Sequence, residues 1–82
     1  MTRKEIEGKV RRLLSEEFEV EPEKMVSNAR LHEDLGIDSL DTVDLAALVQ
    51  QDFGFSMSPG EVRQLYTLGQ FCDYIGRHTL EK

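Results

Sequence analysis

Apolar residues near the start of the chain follow the spacing of one helix face. They occur at i, i+4, i+7, i+8 and i+12, at Ile6, Val10, Leu13, Leu14 and Phe18. Such a run predicts an amphipathic helix whose apolar side faces a core. Thr2 and Glu5 precede it with the spacing of a capping box, so the first helix is predicted from residue 3 to about residue 17.

A second helical pattern begins around Asp38 and Ser39. Asp38 is predicted as its N-cap because a carboxylate can accept hydrogen bonds from the first turn, which makes Ser39 the first helical residue and leaves its hydroxyl exposed. Apolar residues then run at helical spacing for about four turns until Gly54, which can take the positive φ of a C-terminal cap. The free N–H groups of this helix start would favour an anion attached to Ser39.

Two further patterns complete the helical part of the chain. Ser58, Pro59 and Glu61 form an N-terminal capping signature that is followed by few apolar residues, so a short third helix is predicted. Thr67 is predicted to cap a fourth helix, and residues 79–82 are predicted as a frayed tail. The buried stripe of this fourth helix is predicted as Leu68, Phe71, Cys72 and Ile75.

Residues 19–37 show no helical period, yet the segment is rich in apolar side chains that can fix it to the helices. They are Val20, Met25, Val26, Ala29, Leu31, Leu35 and Ile37. The whole pattern predicts an all-α fold, a small four-helix bundle with three longer helices, one short third helix and a long first loop. A length of 82 residues leaves room for one domain, so residues 1–82 are expected to form a single unit.

The net charge of −6 is concentrated in one part of the sequence. Residues 31–56 contain six acidic residues and no Lys or Arg, whereas acids and bases balance in residues 1–30 and 57–82. Such a field disfavours nucleic acid and anionic membranes and favours partners with basic surfaces. Neither a membrane span nor a secretory signal is present, so a cytoplasmic protein is expected. Cys72 is the only cysteine, which leaves no internal disulfide or cysteine metal site.

The residues around Ser39 resemble a known motif. Residues 34–41 read Asp-Leu-Gly-Ile-Asp-Ser-Leu-Asp, which is similar to the phosphopantetheine attachment motif of acyl carrier proteins. Ser39 matches the modified serine, Asp38 matches the acidic residue before it, and Leu40 matches the residue after it. The resemblance covers essentially all 82 residues and implies the same small helical bundle.

This resemblance implies a carrier function. A phosphopantetheinyl transferase (holo-acyl-carrier-protein synthase) would attach phosphopantetheine from coenzyme A to Ser39, and acyl groups would be carried on its terminal thiol as thioesters. The chain would then be a carrier without catalytic residues, not an enzyme, in fatty acid or related lipid or polyketide biosynthesis. Its expected partners are acyl transferases, ketosynthases and related acyl-processing enzymes with basic docking surfaces, and a monomer is expected.

The resemblance also implies a partner surface on the second helix. Its residues are Asp38, Leu40, Asp41, Val43, Asp44 and Ala47. For Leu40 and Val43, ordinary core packing is an equally good interpretation of the sequence.

Departures from the family pattern leave the subtype open. Gln50 and Gln51 stand where fatty-acid carriers usually have acids, Ala47 stands where a larger residue is common, and Phe71 stands where a small one is common. A specialised carrier for a polyketide or modified lipid is therefore an alternative. An aminoacyl or peptidyl carrier is a weaker one, because those usually read Leu-Gly-Gly before the serine motif.

Two alternatives belong to other classes of protein. An acidic helical adaptor that is never modified would use the second helix only as a docking face. A calcium-binding helical protein is disfavoured, because the acidic residues lack the ligand spacing of an EF-hand loop, and no metal site is predicted.

Overall fold

Four α-helices and one short 3₁₀ helix make up the regular structure of residues 2–80, the part of the chain that this computed structural model describes. The helices are α1 (Arg3–Phe18), α2 (Asp41–Phe53), α3 (Pro59–Arg63) and α4 (Leu68–Leu80), and the 3₁₀ helix is Pro22–Lys24. No β-strand occurs in this part of the chain. The predicted all-α fold, with three longer helices, a short third helix and a long first loop, is confirmed.

Helices α1 and α3 start at the capping residues that the sequence predicts. The Thr2 hydroxyl accepts from the Glu5 N–H at 3.2 Å, and the Glu5 carboxylate accepts from the Thr2 N–H at 3.0 Å. Ser58 and Glu61 form the same reciprocal pair at the start of α3. Each pair satisfies N–H groups that a helix start would otherwise leave open, so both predicted capping boxes are confirmed.

The fourth helix extends further than predicted. Thr67 caps it through its hydroxyl, as expected. The prediction of a frayed tail is wrong for Thr79 and Leu80, because α4 includes both and the Thr79 hydroxyl donates to the Ile75 carbonyl at 2.9 Å. Residues 81–82 of that predicted tail lie outside the described residues.

Backbone hydrogen bonds hold the long first loop against the start of α4. The Leu68 N–H donates to the Ala29 carbonyl at 2.9 Å, and the Gly69 N–H donates to the Ser27 carbonyl at 2.8 Å. A Cβ on Gly69 would lie 3.0 Å from that Ser27 oxygen, a contact so tight that the two backbone segments would have to move slightly apart. Val26 is exposed, contrary to prediction, because it opens a surface turn that the Ala29 N–H closes. The other apolar loop residues are buried as predicted.

One hydrophobic core joins the helices and the loop. Side chains from three helices are fully covered there, namely Ile6, Val10 and Leu14 of α1, Leu45 and Val49 of α2, and Phe71 and Ile75 of α4. The predicted buried stripe of the fourth helix is confirmed. Cys72 belongs to this stripe, and burial raises the pKa of its thiol to about 11, so the thiol stays protonated at neutral pH.

Candidate functional site

A tight turn leads from the long loop to the start of α2. Gly36 takes a φ of 75°, and its N–H donates to the His32 carbonyl at 3.2 Å. The Ile37 N–H donates to the Leu31 carbonyl at 2.9 Å, and Nδ1 of His32 lies 3.0 Å from the Ile37 carbonyl oxygen. Because a carbonyl oxygen only accepts, Nδ1 carries the proton in this contact. These bonds fix the position of the residues that follow the turn.

Asp38 holds the next turn together. Its Oδ1 accepts from the Leu40 N–H at 2.9 Å and from the Asp41 N–H at 3.0 Å. In return, Oδ2 of Asp41 accepts from the Asp38 N–H at 3.2 Å. This reciprocal arrangement is the chemistry of a capping box, so Asp38 caps this turn as predicted, although the N-cap residue of α2 itself is Leu40 and not Asp38.

The regular helix begins later than predicted. It starts at Asp41, and Ser39 and Leu40 form the turn before it. The Val43 N–H reaches the Leu40 carbonyl at 3.3 Å, and the Thr42 hydroxyl donates to the Ser39 carbonyl at 2.6 Å. The i to i+3 bond belongs to a tighter turn than an α-helix. The prediction that Ser39 is the first helical residue is therefore wrong, although Ser39 lies inside the capped turn.

The same hydrogen bonds correct the expectation of free N–H groups beside Ser39. The amides of Leu40 and Asp41 are bound by the Asp38 carboxylate, and the Thr42 N–H donates to the Asp38 carbonyl at 3.2 Å. The carboxylate and the backbone carbonyl of Asp38 have thus taken three donors that an anion would otherwise bind. These three amides fix the turn and do not form a ready anion site.

Ser39 presents its side chain to solvent from this fixed turn. In residues 2–80 its hydroxyl makes no hydrogen bond, and Nδ1 of His32 contacts the Ile37 carbonyl instead. A catalytic serine needs a base within hydrogen-bond reach, which Ser39 lacks within this part of the chain. An accessible hydroxyl without a hydrogen bond does fit the formation of a phosphate ester on Ser39.

The face of α2 that follows Ser39 combines apolar and acidic side chains. Leu40 is 79% exposed and Val43 is 51% exposed, and Asp44 and Ala47 are also exposed. The core contacts of α2 come instead from the opposite face, which consists of Thr42, Leu45, Ala46, Val49 and Phe53. Core packing is therefore the wrong interpretation of Leu40 and Val43. Leu40 lies in the turn just before α2, and together with Val43, Asp44 and Ala47 of α2 it forms what we call the exposed α2 face.

The residues proposed from the sequence lie close together. Asp38, Ser39 and Leu40 form the turn, and Asp41, Val43, Asp44 and Ala47 follow on α2. Asp41 differs from the others because it is partly buried and its carboxylate accepts the Asp38 N–H. It therefore supports the turn as well as contributing charge.

A cleft of about 400 Å³ lies beside Ser39, and Ser39 is one of its lining residues. Its walls come from the loop, the start of α2 and the region around α3. Buried Leu31, Ile37 and Val62 supply apolar surface, and Arg63 and Tyr66 lie on its lining from the α3 side. The sequence interpretation missed Arg63 and Tyr66, because no local motif connects them to Ser39.

The described residues lack two other kinds of feature. Within residues 2–80, no group of three or more His, Cys, Asp or Glu side chains is placed to hold a metal ion. Over the same range, no helix has the length and apolar character needed to cross a membrane.

Comparisons with known proteins identify the relatives of this chain. The family described as "Phosphopantetheine attachment site" matches residues 8–75, a range that includes Ser39 and all of α2. The chain is also similar to proteins named "Acyl carrier protein" from Buchnera aphidicola subsp. Acyrthosiphon pisum, strains Tuc7, APS and 5A. Each is 32% identical to it over 79 residues, which cover 96% of this chain and 99% of the relative.

The family match covers most of the chain, and the alignment with the relatives is nearly complete in both directions. Proteins of this family bear a covalently attached phosphopantetheine group and act with acyl-processing enzymes as carriers, not as enzymes. The chain belongs to the acyl carrier protein family.

Proposed function

We propose that phosphopantetheine is attached to the hydroxyl of Ser39. The observation that carries this proposal is the exposed Ser39 side chain, which makes no hydrogen bond in residues 2–80 and lies within the family match. Asp38 supports the role by holding the adjacent amides of Leu40 and Asp41. The hydroxyl is thereby offered to a partner from a turn that is already ordered, which lowers the entropy cost of binding.

We further propose that the loaded chain carries acyl intermediates in fatty acid or related lipid or polyketide biosynthesis. When bound, the prosthetic group supplies a terminal thiol that forms thioesters with acyl groups, and the protein supplies position and recognition. The whole of residues 1–82 would act as one monomeric carrier domain in the cytoplasm. A specialised pathway is the alternative to housekeeping fatty acid synthesis, because Ala47, Gln50 and Gln51, which are exposed on α2, depart from the pattern of fatty-acid carriers.

The exposed α2 face is proposed as the docking surface for phosphopantetheinyl transferase, acyl transferases and ketosynthases. Leu40 and Val43 supply apolar area that a partner can cover, and Asp44 supplies a charge beside it. An apolar centre with polar surroundings is the usual composition of a protein interface. The acidic field of residues 31–56 would steer basic partners toward this face.

The attachment proposal is tested by mass spectrometry after incubation with coenzyme A and a phosphopantetheinyl transferase. The intact mass should rise by one phosphopantetheine group. Trypsin should release peptide 31–63, which contains Ser39, Ser56 and Ser58, because no Lys or Arg lies between its ends. Fragmentation of this peptide should assign the added mass to Ser39. Mass on Ser56 or Ser58 would contradict the assignment, and an unchanged intact mass would favour the unmodified adaptor.

Reversing the charge of Asp44 should slow the transferase reaction without unfolding the protein. Asp44→Lys is expected to lower kcat/KM by about three- to tenfold at low ionic strength, because exposed charges act mainly on association. The difference from the parent should shrink with added salt as the screening length falls from about 8 Å at 0.15 M to about 3 Å at 1 M. Asp41 is less suitable, because its carboxylate helps to hold the turn.

Asp52→Lys is the matched control for Asp44→Lys. It changes the net charge equally, but Asp52 lies near the end of α2 that is remote from Ser39. Its kcat/KM should fall much less than that of Asp44→Lys, because Asp52 belongs to the same acidic segment but lies far from the proposed docking surface. Equal slowing in both variants would show that net charge alone sets the rate and would remove the case for docking on the exposed α2 face.

A further inference from the structure

A small notch lies where the end of α1 meets the exposed α2 face. Its volume is about 220 Å³, and it is lined by Glu17 and Phe18 of α1 and by Asp44, Ala47 and Leu48 of α2. Pockets for small-molecule ligands usually occupy roughly 300–1,000 Å³, so this notch suits a single side chain better than a ligand. Because Asp44 and Ala47 also belong to the exposed α2 face, the notch continues the proposed docking surface onto α1.

Part of the notch lining is apolar and held in place by the core. Phe18 and Leu48 are partly buried and pack against the core residues. Ala47 is exposed, and its single methyl group leaves the space beside them open. A larger side chain at residue 47 would project into this space. The notch therefore depends on the alanine.

The notch is also lined by two exposed carboxylates, those of Glu17 and Asp44. Within residues 2–80, no Lys, Arg or His side chain lies at ion-pair distance from either of them. The last turn of α1 contains no basic residue. The C-terminal end of a helix carries a partial negative charge, which favours cations and disfavours acidic side chains. Glu17 is therefore unfavourable for α1 itself, and a cation from another molecule would be attracted to this end of the helix.

An arginine side chain matches each part of this lining. Its methylene groups can cover apolar surface while its charged head stays in water. The planar guanidinium can donate to more than one carboxylate oxygen and can lie over an aromatic ring such as that of Phe18. Lysine offers a compact charge without this planar fork, so it would fit the notch less well.

The partner that has to come closest to this face is the enzyme that modifies Ser39 itself. Acyl-processing enzymes would act at the far end of the prosthetic group, whereas the transferase would act directly on the Ser39 hydroxyl. Ala47 lies six residues after the start of α2, which is roughly 9 Å along the helix axis. An enzyme seated over Ser39 and the exposed α2 face would thus also cover the notch.

We propose that the notch binds one arginine side chain of the phosphopantetheinyl transferase and so extends its docking surface from α2 to the end of α1. This inference rests on attachment at Ser39 and on docking at the exposed α2 face. It assigns a binding role to Glu17 and Phe18, which lie outside the motif around Ser39.

The test compares kcat/KM of a phosphopantetheinyl transferase for variants of the unmodified protein at low ionic strength. Glu17→Gln should lower it about two- to fivefold, as for the loss of one partly exposed ion pair. Ala47→Met should fill the notch and lower it about five- to tenfold, because the whole arginine side chain would be excluded. The double variant should be no slower than Ala47→Met alone, since a filled notch leaves Glu17 without its partner.

Two matched variants control for charge and for size. Glu16→Gln removes the neighbouring charge, but Glu16 pairs with Arg12 and does not line the notch. Gln50→Met adds the same side chain at another exposed position of α2, outside the notch. Both should react nearly as fast as the parent. The thermal midpoint of Glu17→Gln should not fall, because an acid at this helix end is unfavourable. A lower midpoint would show that Glu17 serves the fold and would count against the proposal.

Alanine variants of the transferase identify the arginine. For one of its exposed arginines, the alanine variant should modify the parent and Ala47→Met at equal rates. The absence of such an arginine, a parent-like Ala47→Met, or additive effects in the double variant would overturn the proposal. If Asp44→Lys slows the reaction and Ala47→Met does not, docking on the exposed α2 face stands and only the notch is excluded. A parent protein that is never modified would instead overturn the attachment proposal.

Discussion

Replacing Ser39 by alanine is expected to abolish the addition of phosphopantetheine and to leave the fold intact. The substitution removes the hydroxyl on which the ester would form. It removes no hydrogen bond seen within residues 2–80, because the Thr42 hydroxyl donates to the backbone carbonyl of Ser39 and not to its side chain. An exposed substitution of this kind usually changes the free energy of unfolding by no more than about 0.5 kcal/mol. Intact mass and urea unfolding measure the two effects.

Ser58→Ala is the matched control for Ser39→Ala. Both serines are exposed and lie at the start of a helix, but the Ser58 hydroxyl accepts from the Glu61 N–H at 3.2 Å. Ser58→Ala should therefore lower the free energy of unfolding by about 1 kcal/mol, as is typical for the loss of a capping side chain. It should still gain one phosphopantetheine. Full modification of Ser39→Ala would contradict the attachment proposal, and loss of modification in both variants would point to damage of the transferase surface.

The features that could be predicted from the sequence are those that depend on neighbouring residues. Thr2 contacts Glu5 because residues three positions apart lie close together at the start of a helix. The same holds for Ser58 and Glu61. The apolar period of α4 likewise follows from helix geometry alone. Such short-range patterns defined the helices, the capping role of Asp38 and the motif around Ser39 without any knowledge of the packing.

The features that could not be predicted depend on contacts between distant parts of the chain. Leu40 and Val43 have the composition of core residues, and only the packing of α2 through its opposite face leaves them exposed. Similarly, Arg63 and Tyr66 reach the cleft beside Ser39 because the loop is bonded to the segment after α3, where the Leu31 N–H donates to the Tyr66 carbonyl at 2.8 Å. No periodicity or motif in the sequence predicts that these two residues line the same cleft as Ser39.

The later start of α2 has a different cause. Asp38 uses its carboxylate on the amides of Leu40 and Asp41, which is the bonding that the sequence predicts for an N-cap. The turn that follows is tighter than an α-helix, and the Thr42 hydroxyl donates to the Ser39 carbonyl. The capping residue was therefore predictable, whereas the boundary of the helix depends on side-chain bonds that propensity does not describe.

Truncating Phe71 to alanine is expected to cause the largest loss of stability among these variants. The Phe71 side chain has no exposed surface and lies in the core with Leu68, Cys72 and Ile75. Removing a buried phenyl ring loses its transfer free energy and leaves a cavity that a close-packed core fills only in part, which typically costs 3–5 kcal/mol. Small domains have about 5–15 kcal/mol of stability in total, so Phe71→Ala should lose a large share of it.

Tyr66→Ala is the control for the loss of an aromatic ring at the surface. Tyr66 is exposed. Its backbone N–H donates to the Gln70 side chain at 2.8 Å, and the substitution leaves this bond in place. Its free energy of unfolding should change by no more than about 0.5 kcal/mol. Both variants are measured by urea unfolding, where the midpoint should fall for Phe71→Ala and the slope should stay unchanged if only stability is affected.

Substitutions of Phe71 should lower the stability of the protein without preventing the modification of Ser39. Phe71 does not line the cleft beside Ser39, so at low temperature and without denaturant the folded fraction of Phe71→Ala should still gain phosphopantetheine at Ser39. Phe71→Leu should show a smaller loss of stability, because it leaves a smaller cavity. An average substitution lowers the free energy of unfolding by about 1 kcal/mol. If Phe71→Ala lowers it by no more than that, the core relaxes around the missing ring. Such a result would contradict the close packing inferred from the complete burial of Phe71.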